Sequence, residues 1–158
     1  MTLAEALLAK LAKWRPDSGR QTLDVAHPES GWAVAVESGH VELLGGRLWD
    51  VSVRPLRPAA SADLRARAEQ VAARVTGLLE PLRLVEVDDA RGLAQLRSDK
   101  PGNWGDGQFY YEVLLQADGG TNVRRYQAPA ADQPRRQQVP FTLTHEALAK
   151  LVSDLTLP

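Results

Sequence analysis

The sequence contains no cysteine. Disulfides, thiol nucleophiles and thiolate metal sites are therefore excluded, and a reducing cytoplasm is the default compartment. No charge sign dominates: 19 basic and 20 acidic residues leave a net charge of -1. A general nucleic-acid binder usually carries a strong basic excess, so nucleic acid is not an expected partner, although a local basic patch is compatible with the balance. No apolar run approaches the ~20 residues of a membrane span, so no membrane partner is expected. Thr2–Trp14 does not read as a signal peptide, because Glu5, Lys10 and Lys13 break any continuous apolar core. Three catalytic signatures are missing as well: the Gly-x-Ser-x-Gly elbow, the Gly-Lys-Ser/Thr phosphate loop and the His-x-x-x-His metal pair.

What remains is an ordinary globular composition, 44% hydrophobic and 25% charged over 158 residues. A chain of this length buries roughly 70% of its unfolded surface without a disulfide or metal. The alanine- and arginine-rich, lysine-poor usage suits a GC-rich bacterial genome.

The first helix is announced by Thr2 and Glu5 at capping-box spacing, followed by Leu3, Leu7, Leu8, Leu11 and Trp14 on one face. Pro16 and Gly19 end it. Thr22–Ala26 is a short strand stopped by Pro28. Trp32, Val34 and Val36 alternate with Ala33 and Ala35, so both faces of the next strand are apolar. Ser38-Gly39 and Gly45-Gly46 read as turns around a short Val41–Leu44 segment. Leu48–Arg54 alternates as a half-buried strand, with Trp49, Val51 and Val53 inward.

Ser61 is placed to cap a second helix, with Asp63 near its positive end. Leu64, Ala68, Val71, Val75, Leu78 and Leu79 form its stripe, and Pro81 stops it. Leu82–Val87 pairs with Leu93–Arg97 across a polar turn, and Phe109–Gln116 with Asn122–Gln127 across Asp118-Gly119-Gly120. Residues 128–138, rich in Pro, Arg and Gln, read as a mobile surface loop. Thr144 caps a last helix with Leu148, Leu151, Val152 and Leu155 on its apolar face.

The expected fold is thus one α+β domain over residues 1–158. A twisted antiparallel sheet packs three helices on one side, in the order α-β-β-β-α-β-β-β-β-α. The expected core is Leu7, Leu11, Trp32, Val34, Trp49, Val51, Val71, Val75, Val85, Val113, Leu115 and Leu151.

Candidate chemistry is sparse. His27 precedes a proline, His40 sits in a turn, and His145 lies in a first helical turn. Asp88-Asp89, with Glu86 beside them, can either bind a divalent cation or bond turn amides. Trp104, in the glycine-rich stretch 100–107, is either an anchor on the core or an exposed stacking surface. Arg124-Arg125 and Arg135-Arg136, with Tyr126 between, suit phosphate or nucleic acid, or else a solvated strand edge. The candidate binding residues are therefore Trp104, Arg124, Arg125 and Tyr126. No catalytic residue, metal or cofactor is expected.

The element order resembles the secretion-chaperone-like fold, which runs helix, three strands, helix, further strands, helix. That resemblance implies homodimers that bind extended segments of partner proteins. The chain departs from the acidic type III secretion chaperones in its near-neutral charge, an extra strand and the Arg/Pro-rich loop. The favoured expectation is a non-catalytic protein-binding, adaptor or chaperone-like domain with a protein partner and a homodimeric state. The alternative is a ligand- or nucleic-acid-binding domain built on Trp104 and the Arg124–Tyr126 strand.

Overall fold

The computed structural model describes residues 1–16, 19–57, 63–105 and 107–156, with Trp104 described by its backbone alone. Helix α1 spans Leu3–Leu11. The Thr2 hydroxyl accepts from the Glu5 amide at 3.1 Å, and the Thr2 amide donates back to the Glu5 carboxylate at 2.7 Å. Two of the four unpaired amides of the helix start are thereby satisfied. Leu3, Leu7 and Leu11 are buried, as their spacing requires.

Strands β1 (Gln21–His27), β2 (Trp32–Val41) and β3 (Gly45–Pro55) form an antiparallel meander. Helix α2 (Leu64–Arg74) follows, then β4 (Leu82–Asp88), β5 (Leu93–Ser98), β6 (Gly102–Trp104), β7 (Gly107–Gln116) and β8 (Thr121–Gln127). The short strands β9 (Gln137–Val139) and β10 (Phe141–Thr144) lead into α3 (His145–Thr156). The sheet is open and antiparallel, in the order β1-β2-β3-β8-β7-β5-β4. β10 pairs with β3, β6 with β7 and β9 with β8.

The α+β class, the three helices and the order of the longer strands are as the sequence predicts. The three short strands go beyond that expectation, because three- and four-residue segments show too few alternations to be seen.

Five local expectations fail for physical reasons. Neither Ser38-Gly39 nor Gly45-Gly46 is a turn: β2 runs on to Val41 through a bulge, β3 begins at Gly45, and the connection lies at residues 42–44. The fully buried Ser38 hydroxyl donates to the Arg47 carbonyl and accepts from the His40 amide, repairing the broken ladder. The same irregularity pairs Ser38 with Leu48 and Glu37 with Asp50. Trp49 is therefore left half-buried beneath the Arg20 guanidinium, 4.1 Å away, while Leu48 takes the core position. Val85 is skipped by a second bulge, between Leu84 and Glu86, and is 43% exposed.

The second helix ends early. Val75 turns extended, so the helix stops at Arg74 and not near Pro81. Val75 and Leu78 still reach the core from that extended segment. The cap expected at Ser61 lies outside the described residues. Asp63 is the observed N-cap, accepting from the Ala66 amide at 3.2 Å.

All three helices join one apolar cluster with Val25, Val34, Val36, Val51, Val53, Val113, Leu115 and Val123. Because strand side chains alternate, the neighbours of these residues form a second, helix-free face. α1 packs against α3, and α3 reaches β3 and β10. At that crossing a Cβ on Gly45 would lie 2.6 Å from the Leu143 carbonyl oxygen, so only glycine fits. Arg67 of α2 clamps the β7–β8 hairpin, donating to the Gly119 carbonyl at 2.6 Å and the Thr121 hydroxyl at 2.7 Å. Gly119 there has φ +101°, a conformation that favours glycine.

Candidate functional site

The helix-free face carries a row of charges running across the strands. Glu37 of β2 lies opposite Asp50 of β3, Arg124 of β8 opposite Glu112 of β7, and Glu112 opposite Arg97 of β5. Arg124 bridges the gap between the meander and the hairpin by donating to one Asp50 oxygen, Oδ2, from Nη2 at 3.1 Å. The other oxygen, Oδ1, is buried and makes no hydrogen bond of good geometry, while the Asn122 side chain adds a lesser pull toward the ionised form. Burial pushes the Asp50 carboxyl above its ordinary range, against the opposing pull of Arg124.

Beside this row lies a groove of about 470 Å³. Its floor is made of small side chains, Ala26, Ala33, Ala35 and Ser52. Asp24 and Asp50 line it together with Arg54, Arg124, Asn122 and Leu114. Alanines on the second face of β2 thus make room above the sheet, and strands on either side supply charges of both signs.

A second cluster continues the row. The Glu112 side chain is 3% exposed, although it sits on the face without helices. Gln95 Nε2 donates to it at 2.8 Å, and Arg136, ahead of β9, donates to both its oxygens. Arg136 also lies 3.7 Å from the Tyr126 ring centroid. Tyr126 stacks on Tyr110 at 6.0 Å, and Arg97 covers Tyr110 at 4.9 Å.

The four sequence candidates do not converge. Arg124 and Tyr126 lie on the helix-free face, two residues apart on one strand. Arg125 points to the opposite side, where its Nη2 meets Glu80 at 2.9 Å and its guanidinium covers Tyr111 at 4.3 Å. Glu80 in turn accepts from the Ser98 hydroxyl at 2.7 Å, which itself accepts from the Tyr111 amide. Arg125 is thus a tie between the segment after α2 and the sheet. The backbone of Trp104 pairs with Gly107, and its side chain lies outside the described residues.

Asp50, Glu112 and Tyr110 were not singled out by the sequence. Glu112 had a readable signal: the Asp118-Gly119-Gly120 turn sets a hairpin register that places it across from Arg124. Asp50 had none, because its partner lies 74 residues away.

The remaining candidates have local partners. His27 Nδ1 accepts from the Ser30 amide at 3.3 Å, and His40 meets Glu42 at 3.0 Å. Asp88 accepts from the Arg91 amide at 3.1 Å, which is turn chemistry. His145 is buried, with Nε2 unpartnered, and burial followed by nearby Arg15 depresses its affinity for a proton. Among the described residues no group of three or more His, Cys, Asp or Glu is placed to hold a metal, and no helix is long and apolar enough to cross a membrane. The chain matches no family model, and no curated protein or solved structure matches it.

Proposed function

We propose that the protein is a non-catalytic binding module of adaptor or chaperone-like type, and that the helix-free groove takes an extended segment of a partner protein carrying a basic side chain. The observation that carries this reading is Asp50 Oδ1, a buried carboxylate oxygen without a partner at the edge of a groove floored by alanine. A buried unsatisfied acceptor costs roughly 1–3 kcal/mol, which an incoming cation would relieve. Small floor residues admit a peptide backbone close to the sheet. Asp24 adds a second negative charge on the same side. The resemblance of the predicted element order to the secretion-chaperone-like fold favours the same use.

The nucleic-acid alternative has less support. Arg124, Arg125 and Arg136 are each paired with a carboxylate, and Arg125 faces away from Arg124. Little unpaired positive charge is left there for phosphate.

The test is a displayed-peptide selection on the wild-type protein and on Asp50→Asn and Ala35→Trp variants. Enrichment of extended sequences with a central arginine or lysine, lost on both variants, is expected. No enrichment, or enrichment indifferent to both substitutions, overturns the reading.

A further inference from the structure

We propose that Tyr110, Tyr126 and Glu112 form a second binding site on the helix-free face, specific for a guanidinium group, which the chain's own Arg136 fills and which an arginine of a partner peptide takes in exchange. Three features define the chemistry. The Arg136 guanidinium lies over Tyr126, 3.7 Å from its centroid. Its Nη1 and Nη2 both reach the Glu112 carboxylate, and Nη1 also reaches the Tyr110 hydroxyl at 3.4 Å. A planar fork that stacks and donates in two directions matches this arrangement, whereas a lysine ammonium supplies only a point charge.

The acid is not demanded by packing. Glu112 is nearly fully buried on the side of the sheet opposite the apolar cluster. A buried ion pair is often no more stable than apolar residues of the same volume. Arg97 does not satisfy it: its Nε stands 3.8 Å off and makes no hydrogen bond. The strongest partner of Glu112 is thus Arg136, and Glu112 in turn raises the proton affinity of that guanidinium further.

Arg136 is also held lightly by the rest of its segment. Residues 129–137 are exposed throughout, and β9 contributes only three residues to the sheet. Their exposure and the short β9 ladder place the opening of this segment toward the low end of the local stability scale, and opening bares Tyr126 and Glu112 for the incoming arginine. The chain's own arginine acts as a tethered competitor with an effective concentration of roughly millimolar.

The experiment is a titration with N-acetyl-arginine-methylamide, with the lysine analogue as control, followed through the ring resonances of Tyr110 and Tyr126. Arg136→Ala is expected to respond to the arginine analogue at about tenfold lower concentration than wild type, given that tethered competition. The lysine analogue is expected to leave both rings unmoved, and Glu112→Gln combined with Arg136→Ala to abolish the response. If Arg136→Ala does not fold, Arg136→Lys keeps the charge and is expected to respond to the arginine analogue below the wild-type concentration. Unmoved rings in every variant, equal response to both analogues, or identical titration of wild type and variant would each overturn the assignment. The outcome is independent of the groove reading, because neither tyrosine lines that groove.

Discussion

Arg124 holds one oxygen of Asp50 at 3.1 Å and leaves the other buried without a partner. The pair is therefore incomplete, and Asp50 has a raised carboxyl pKa because desolvation outweighs its single cation. Folding takes up a proton here, so ionisation of Asp50 opposes stability as pH rises through its folded pKa.

Asp50→Asn is accordingly expected to raise the melting temperature at pH 7. The gain should shrink as pH falls toward the ordinary carboxylate range and the native carboxyl takes up its proton. Calorimetry across that pH range checks this. A lower melting temperature at pH 7 would show that Arg124 dominates the balance.

Arg125→Ala is expected to cost about 2–4 kcal/mol, because it strands the Glu80 carboxylate in a largely buried position. Urea unfolding reads the loss. Peptide selection through the groove should survive, since Arg125 lies on the other side of the sheet. Loss of selection in a folded Arg125→Ala protein would put the two faces in communication.

Arg67→Ala removes the hydrogen bonds that clamp Gly119 and Thr121. A loss of about 1–3 kcal/mol is expected. Faster amide exchange should appear first at the β7–β8 turn, and uniform exchange across the sheet would contradict a local clamp.

His145 gives a pH signature of the opposite sign to Asp50. Its folded pKa is depressed by burial and by Arg15, so the unfolded chain binds the proton more readily. Stability is expected to fall as pH drops below the unfolded value of about 6.5. The fall should be missing in His145→Gln, a difference that thermal melts between pH 8 and 5.5 would expose.

Leu79 adopts φ +62° while 91% exposed. The left-handed region costs a side chain roughly 1–2 kcal/mol. Leu79→Gly should stabilise the fold by about 1 kcal/mol, after glycine's own entropic cost. Denaturant midpoints that move downward would mean that the leucine has a packing role.

The fold was legible wherever signals were local. The capping box at Thr2 and Glu5, the alternation through Tyr111, Val113 and Leu115, and the Asp118-Gly119-Gly120 turn each name their element without tertiary help. Misreadings arose where one residue changed the count. The bulge at Ser38 and the skipped Val85 each shift a strand's alternation by one, and no local composition announces that shift. The candidate site was half legible. Arg124 and Tyr126 stood out as basic and aromatic, but their partners Asp50 and Arg136 come from distant strands and connections. Arg125 looked equivalent to Arg124 in sequence, and the period of two sends it to the other side.

The docking of α1 on α3 has a consequence for biosynthesis. Leu3, Leu7 and Leu11 leave the ribosome about 140 residues before Leu151, on the order of ten seconds earlier at ~5–20 residues per second. β10, which pairs with β3 at Gly45, is translated equally late. The nascent chain therefore carries α1 against β1 and β2 but without its α3 partner through most of the translation of these residues, and that apolar face is covered only when α3 emerges.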